Sequence, residues 1–164
     1  MLVSDAMVVI HLAKLTLLQT SCEQFKPVVV PEAVHRELLA GKAKGSADVG
    51  VIEELFNAGT LRVKRVRNAT LLKRAGAFNV QRGEAEALAL YWQEEADYLA
   101  SDDDTLRKRR TLLNVQLIGT PAIILALYRK NLLNKGKLAA SLQALRKIGW
   151  FSNTVIDKIL MEAT

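Results

Sequence analysis

The sequence predicts an α/β protein in which helix exceeds strand, built on a short, mainly parallel central sheet of about four to five strands. Three observations carry this. Short apolar runs alternate with amphipathic stretches, the pattern of parallel strands joined by crossover helices. The 164 residues contain no long Pro/Ser/Gly linker and no repeat period, and that length suits one domain (1–164) with its own core. Half of the residues are hydrophobic and about a quarter are charged, a balance that excludes intrinsic disorder.

Leu2-Val3-Ser4 opens the chain as a strand, and a helix follows from about Ala6 to Lys14. Val28-Val29-Val30 reads as a short extended segment. Pro31 then suits a helix's first turn, where a missing N–H costs nothing, and this helix runs to about Ala40. Gly41-Lys42-Ala43-Lys44-Gly45-Ser46 reads as a polar loop. Residues 48–57 form a helix, and Leu61-Arg62-Val63 alternates like a strand. Gly83 precedes a helix from Glu84 to about Glu94. Tyr98-Leu99-Ala100-Ser101 is a strand that runs into Asp102-Asp103-Asp104, with a helix from about Thr105 and Asp104 as its cap. Val115-Gln116-Leu117-Ile118 is a further strand, turned by Gly119-Thr120-Pro121. Helices near 121–131, 137–147 and 153–162 complete the chain, with Gly149 ending the middle one.

Several chemistries are excluded early. Cys22 is the only cysteine, so an internal disulfide, a Cys-based zinc site and a redox pair are ruled out, and a buried thiol is expected. His11 and His35 are the only histidines; this excludes a histidine-rich metal site and leaves, on this reading, no histidine to share an acidic one. Met1 leads straight into Leu2-Val3-Ser4-Asp5 without a basic leader, and Lys14 interrupts the first apolar run, so a cytoplasmic protein outside the membrane is expected.

The charge is segregated. The net charge is +6, yet residues 55–83 hold seven basic residues and no acid, and residues 105–156 hold ten and no acid. Such basic segments suit a polyanionic partner. Asp5 falls immediately after the first strand, and Asp102 and Asp103 immediately after the strand at 98–101. In an open parallel sheet, functional residues gather at the carboxyl ends of strands, so these acids can be neighbours. Each could instead be a helix cap, a role Asp favours. Glu37 follows Val34 by three residues and Ala33 by four, which places it on an apolar helix face where a carboxylate needs a partner. Glu84 opens its helix beside free N–H groups; Glu86 lies about 200° around, facing water or the rim.

Four or five carboxylates in one pocket repel one another, and a hard divalent cation is the simplest remedy. Mg²⁺ and Mn²⁺ take oxygen ligands and keep several waters. Acids around such an ion, beside basic surfaces that hold phosphates, suit phosphodiester hydrolysis by an activated water.

The opening Leu-Val-Ser-Asp-Ala, the Val-Val-Val-Pro-Glu-Ala-Val-His-Arg-Glu-Leu around Glu37 and the Gly-Glu-Ala-Glu-Ala-Leu-Ala-Leu at 83–90 resemble the PIN-domain nucleases. Asp97-Tyr-Leu-Ala-Ser-Asp-Asp, Gly119-Thr120 and Gly149-Trp150-Phe151-Ser152 continue a resemblance that covers most of the chain. It is most similar to VapC-like toxins of type II toxin–antitoxin pairs. The resemblance implies a three-layer α/β/α fold with an acidic cleft, cleavage of RNA, a homodimer and an antitoxin that blocks the cleft. Asp5, Glu37, Glu84 and Asp103 correspond to the family's acidic quartet, with Asp102 an alternate or adjoining metal ligand. One position departs: where the family has Ser or Thr two residues after the first Asp, this chain has Met7.

Other readings fit less well. A haloacid-type phosphatase needs Thr or Val where Asp102-Asp103-Asp104-Thr105-Leu106 has Leu106, and a receiver domain needs a Lys where the strand at 115–118 ends in Gly-Thr-Pro. The rival of another class is a PIN-fold module with a weak or lost active site that binds RNA or protein. Arg107-Lys108-Arg109-Arg110 does not separate the two, because four consecutive charges point around most of a helix and suit a solvated face.

Overall fold

Five strands pair in parallel: β1 (Leu2–Ser4), β2 (Val28–Pro31), β3 (Leu61–Lys64), β4 (Tyr98–Ala100) and β5 (Leu117–Ile118). They come from a computed structural model that describes residues 1–41, 48–149 and 151–163. Residues 42–46 of the expected polar loop, and Trp150, lie outside the described residues. The sheet order is β3-β2-β1-β4-β5. From β1 the chain steps one way to β2 and β3, then returns to the other side for β4 and β5. The order therefore reverses between β1 and β4, and a crevice opens at the carboxyl ends there.

Ten helices are present among the described residues: α1 (Ala6–Lys14), α2 (Leu18–Phe25), α3 (Glu32–Ala40), α4 (Asp48–Asn57), α5 (Ala69–Gly76), α6 (Arg82–Gln93), α7 (Asp104–Leu113), α8 (Thr120–Arg129), α9 (Lys135–Ile148) and α10 (Asn153–Glu162). They cover both faces of the sheet. Leu2, Val28, Val30 and Ala100 point to one face, packing with α1, α3, α8, α9 and α10 residues such as Val9, Leu38, Ile124, Leu142 and Ile156. Val3, Val29 and Leu99 point to the other, against Leu88, Leu90, Leu106 and Leu113 of α6 and α7. A strand buried on both faces has no polar side to show, which is why Val28-Val29-Val30 reads as an unbroken apolar run. The three-layer α/β/α architecture expected from the sequence is present.

Several elements differ from expectation. Helices α2 and α5 are absent from the sequence reading. The first has no capping side chain at Leu17 and follows Thr16 at φ 59°; the second carries its start signal at Asn68, whose side chain accepts from Leu71 N–H at 3.1 Å. The expected strand at 115–118 shortens to two residues. Helix α7 starts one residue early: Asp103 is its cap, accepting from Leu106 N–H at 2.8 Å, and Asp104 instead pairs with Arg107 and Lys108. Cys22 is buried, and burial pushes its thiol up to about 12.

The start of α3 corrects two expectations together. Pro31 is the last residue of β2 and caps α3 from outside it, and proline offers no side-chain acceptor. The acceptor comes from α6: the buried Glu86 carboxylate takes the Ala33 N–H at 2.9 Å and faces the Arg82 guanidinium at 3.4 Å. Glu86 therefore faces a helix end and not water. Glu86→Ala leaves that N–H unpaired inside the protein and is expected to cost about 1–3 kcal/mol of stability by urea unfolding. Glu86→Gln keeps an acceptor and is expected to cost less.

Candidate active site

Parallel pairing of β1 with β4 sets Ser4 against Ala100, so the residues just beyond, Asp5 and Ser101, emerge side by side. The Asp5 N–H donates to the Ala100 carbonyl at 3.0 Å and fastens the two strand ends. Asp5 then caps α1, accepting from Val8 N–H at 3.0 Å. Cap and site residue are thus compatible roles for one carboxylate. Asp5 is only 3% exposed. Burial, with smaller contributions from the charges of Asp102 and Glu84, pushes its carboxyl up to about 7, against the opposing pull of hydrogen bonds from Ser101 and Val8. The Ser101 hydroxyl also accepts from Asp103 N–H at 3.1 Å, so one buried serine bridges the acids of two strand ends.

Asp102 points the other way, toward β5. Its Oδ1 accepts from Thr120 N–H at 2.7 Å, and its Oδ2 accepts from the Thr120 hydroxyl and from His11 Nδ1–H at 2.9 Å. A Cβ at Gly119 would stand 3.0 Å from Asp102 Oδ1, so glycine there lets the turn before α8 close on the carboxylate. His11 is 4% exposed, lies against the Phe151 ring edge-on, and leaves its Nε2 without a partner. The expectation that no histidine shares the acidic site is overturned: His11 lines it.

Glu84 reaches the crevice from α6, its carboxylate accepting from Gln81 N–H at 3.0 Å. Partial burial raises its pKa above the ordinary value, and the neighbouring charges of Asp103 and Glu37 add to this. Glu37 stands beside Gly83, where an added Cβ would come within 2.9 Å of its Oε2. The side chain is exposed, not buried as its helix face suggested, because the residue opposite has no side chain to cover it. It does not line the cleft that holds the others.

That cleft measures about 680 Å³ and is lined by Asp5, Glu84, Asp102, Asp103 and Asp104, by Arg107 and Arg110, and by His11 and Ser101, with apolar residues completing the lining. Four of the five carboxylates expected from the sequence thus meet in one space, with Glu37 at its margin beside Glu84. Ser101, Thr120 and His11 join them. His11 was detectable as a polar ring inside the apolar run Val8–Ala13, where burial demands a partner.

A divalent cation suits this donor set. The charges acting on Asp5 and Glu84 are those of further acids, so hydrogen bonds from Ser101, Val8 and Gln81 offset burial and mutual repulsion only in part. The acid donors in the cleft are all oxygens. Among the described residues no three Asp, Glu, His or Cys side chains form a ready-made cage. Mg²⁺ needs none, since it keeps several waters and binds through one or two carboxylates.

No helix among the described residues is long and apolar enough to cross a membrane. No curated protein and no solved structure matches the chain. A family model described as PIN domain matches residues 1–164. With a parallel five-stranded sheet and acids meeting at its switch point, the chain belongs to the PIN domain family, a nuclease-type fold whose members typically use divalent metals.

Proposed function

We propose that the protein is a metal-dependent endoribonuclease that hydrolyses phosphodiester bonds of single-stranded RNA, and that it acts as a VapC-like toxin. The observation that carries this is the buried Asp5 among Glu84, Asp102 and Asp103 at the reversal of strand order. Asp5, Glu84 and Asp103 would hold Mg²⁺ or Mn²⁺, with Glu37 a further ligand from the margin of the cleft. Asp102, with its oxygens engaged by His11 and Thr120, is the adjoining member of the set. The bound ion supplies acidity for an attacking water and positive charge beside the phosphate. Arg107 and Arg110, on the same lining, hold substrate phosphates, and the wider basic surface attracts the strand. Ser101 holds Asp5 in place; it puts a hydroxyl on that carboxylate in a chain that has Met7 at the family's hydroxyl position.

The resemblance to toxin families extends the proposal to a homodimer, to an antitoxin that covers the cleft, and to a cytoplasmic site of action. The test is cleavage of a single-stranded RNA by pure protein with Mg²⁺ or Mn²⁺ against the same reaction in EDTA. Cleavage that requires the ion supports the enzyme. RNA binding without metal-dependent cleavage assigns the fold to a binding module instead. Ser101→Ala is expected to keep the fold while weakening Mn²⁺ affinity about 10–100-fold, measured by calorimetric titration.

A further inference from the structure

The cleft has two unlike walls, and hydrolysis accounts for only one. Asp5, Asp102 and Asp103 beyond the strand ends, Glu84 of α6, and Arg107 and Arg110 of α7 form the first. The second is apolar: Met7 from α1, Phe151 before α10, and Val155 and Ile159 on α10. Met7 is 44% exposed and the other three are half-buried, so all four present hydrocarbon or ring surface beside the acids. An ion with six waters takes about 200 Å³ at about 30 Å³ per water, well short of the cleft's 680 Å³. An ion and a phosphate also have no use for an apolar surface.

Phe151 is held in place before any ligand arrives. Its ring meets the His11 ring edge-on with centroids 5.5 Å apart, and His11 is anchored by Asp102. It also packs over Gly149, where a Cβ would come within 2.3 Å of the ring. A side chain fixed in this way loses little freedom on binding. The acid cluster thus orients, through His11, an aromatic ring on the apolar wall.

We infer that this wall is a subsite for one unpaired nucleobase next to the scissile phosphate, seated on Phe151 and flanked by Met7, Val155 and Ile159. This rests on the nuclease reading above and specifies its substrate. A nucleotide matches both walls at once: its phosphate answers the arginines and the ion, and the flat faces of its base answer the ring. A paired base is stacked within its duplex and cannot turn onto the wall, so the subsite selects single strands.

The test uses single-stranded RNA oligonucleotides with one abasic nucleotide placed in turn at each position around the cut. Wild-type protein is expected to lose about 5- to 150-fold in kcat/KM at one position beside the scissile bond and little elsewhere. Phe151→Ala is expected to cut the intact strand slower by a similar factor and to be indifferent to that abasic position; Phe151→Trp is expected to retain the discrimination. Uniform tolerance of abasic positions by the wild type overturns the subsite and leaves the wall to a protein partner, as does abasic discrimination that survives in Phe151→Ala. Loss of the nuclease reading shows separately, as intact strands that are never cut. In that case anisotropy with the same strands decides the subsite: a position-specific loss of binding that Phe151→Ala removes upholds it, and equal binding of all strands overturns it.

Discussion

Asparagine at position 5 or 103 is expected to lower metal-dependent RNA cleavage by about 10³-fold or more, equivalent to about 4 kcal/mol of lost transition-state stabilisation. Both substitutions keep the shape of the side chain and an oxygen that can cap a helix, Asp5 for Val8 N–H and Asp103 for Leu106 N–H. What they remove is the charge. Circular dichroism is therefore expected to be unchanged while cleavage falls. Asp104→Asn is the matched control: this carboxylate lies on the same lining but is taken up by Arg107 and Lys108, and its loss is expected to change the rate severalfold at most.

In EDTA, stability is expected to fall as pH rises from about 4 to about 7. The buried Asp5 carboxyl titrates near 7 in the folded protein against 3.8 ordinarily, with burial as the main cause. A raised carboxyl binds its proton more tightly folded than unfolded. Its contribution is complete below the unfolded value and is lost through the interval up to the folded one. At about 1.4 kcal/mol per pH unit the loss sums to about 4 kcal/mol. Glu84, raised chiefly by burial, acts in the same direction. Asp5→Asn carries no such proton, so by urea unfolding it is expected to be the more stable protein at pH 7.5 in EDTA, with the gap narrowing toward pH 4. Adding Mn²⁺ at pH 7.5 is expected to stabilise wild type and to do little for Asp5→Asn.

The two strand ends that build the site are legible in the sequence because the runs Leu2–Ser4 and Tyr98–Ser101 each lead straight into an Asp, and parallel pairing needs no further information to bring Asp5 beside Ser101. The two glutamates were harder, and their surroundings come out reversed. Helical spacing predicts a buried face for Glu37, which is exposed because Gly83 opposite it leaves that face open. Glu86, expected to face water or the rim, is buried, because Pro31 gives α3 no side-chain cap and another element must supply the acceptor. Both outcomes depend on which helix packs against which, and helical spacing along one element does not contain that. His11 and Thr120 converge on Asp102 from α1 and the start of α8, 91 and 18 residues away in the chain. A count of histidines could exclude a histidine-rich site, but it could not place the one that lines this cleft.

The central claim is that these acids hold the ion on which cleavage depends. It is tested most directly by titrating Mn²⁺ into metal-stripped protein, following ion binding by calorimetry and RNA cleavage in parallel. Half-maximal cleavage is expected at the Mn²⁺ concentration that half-fills the site, and Asp5→Asn and Asp103→Asn are expected to weaken or abolish both together. Cleavage that persists in EDTA, or Mn²⁺ binding unchanged in both Asp5→Asn and Asp103→Asn, would contradict it.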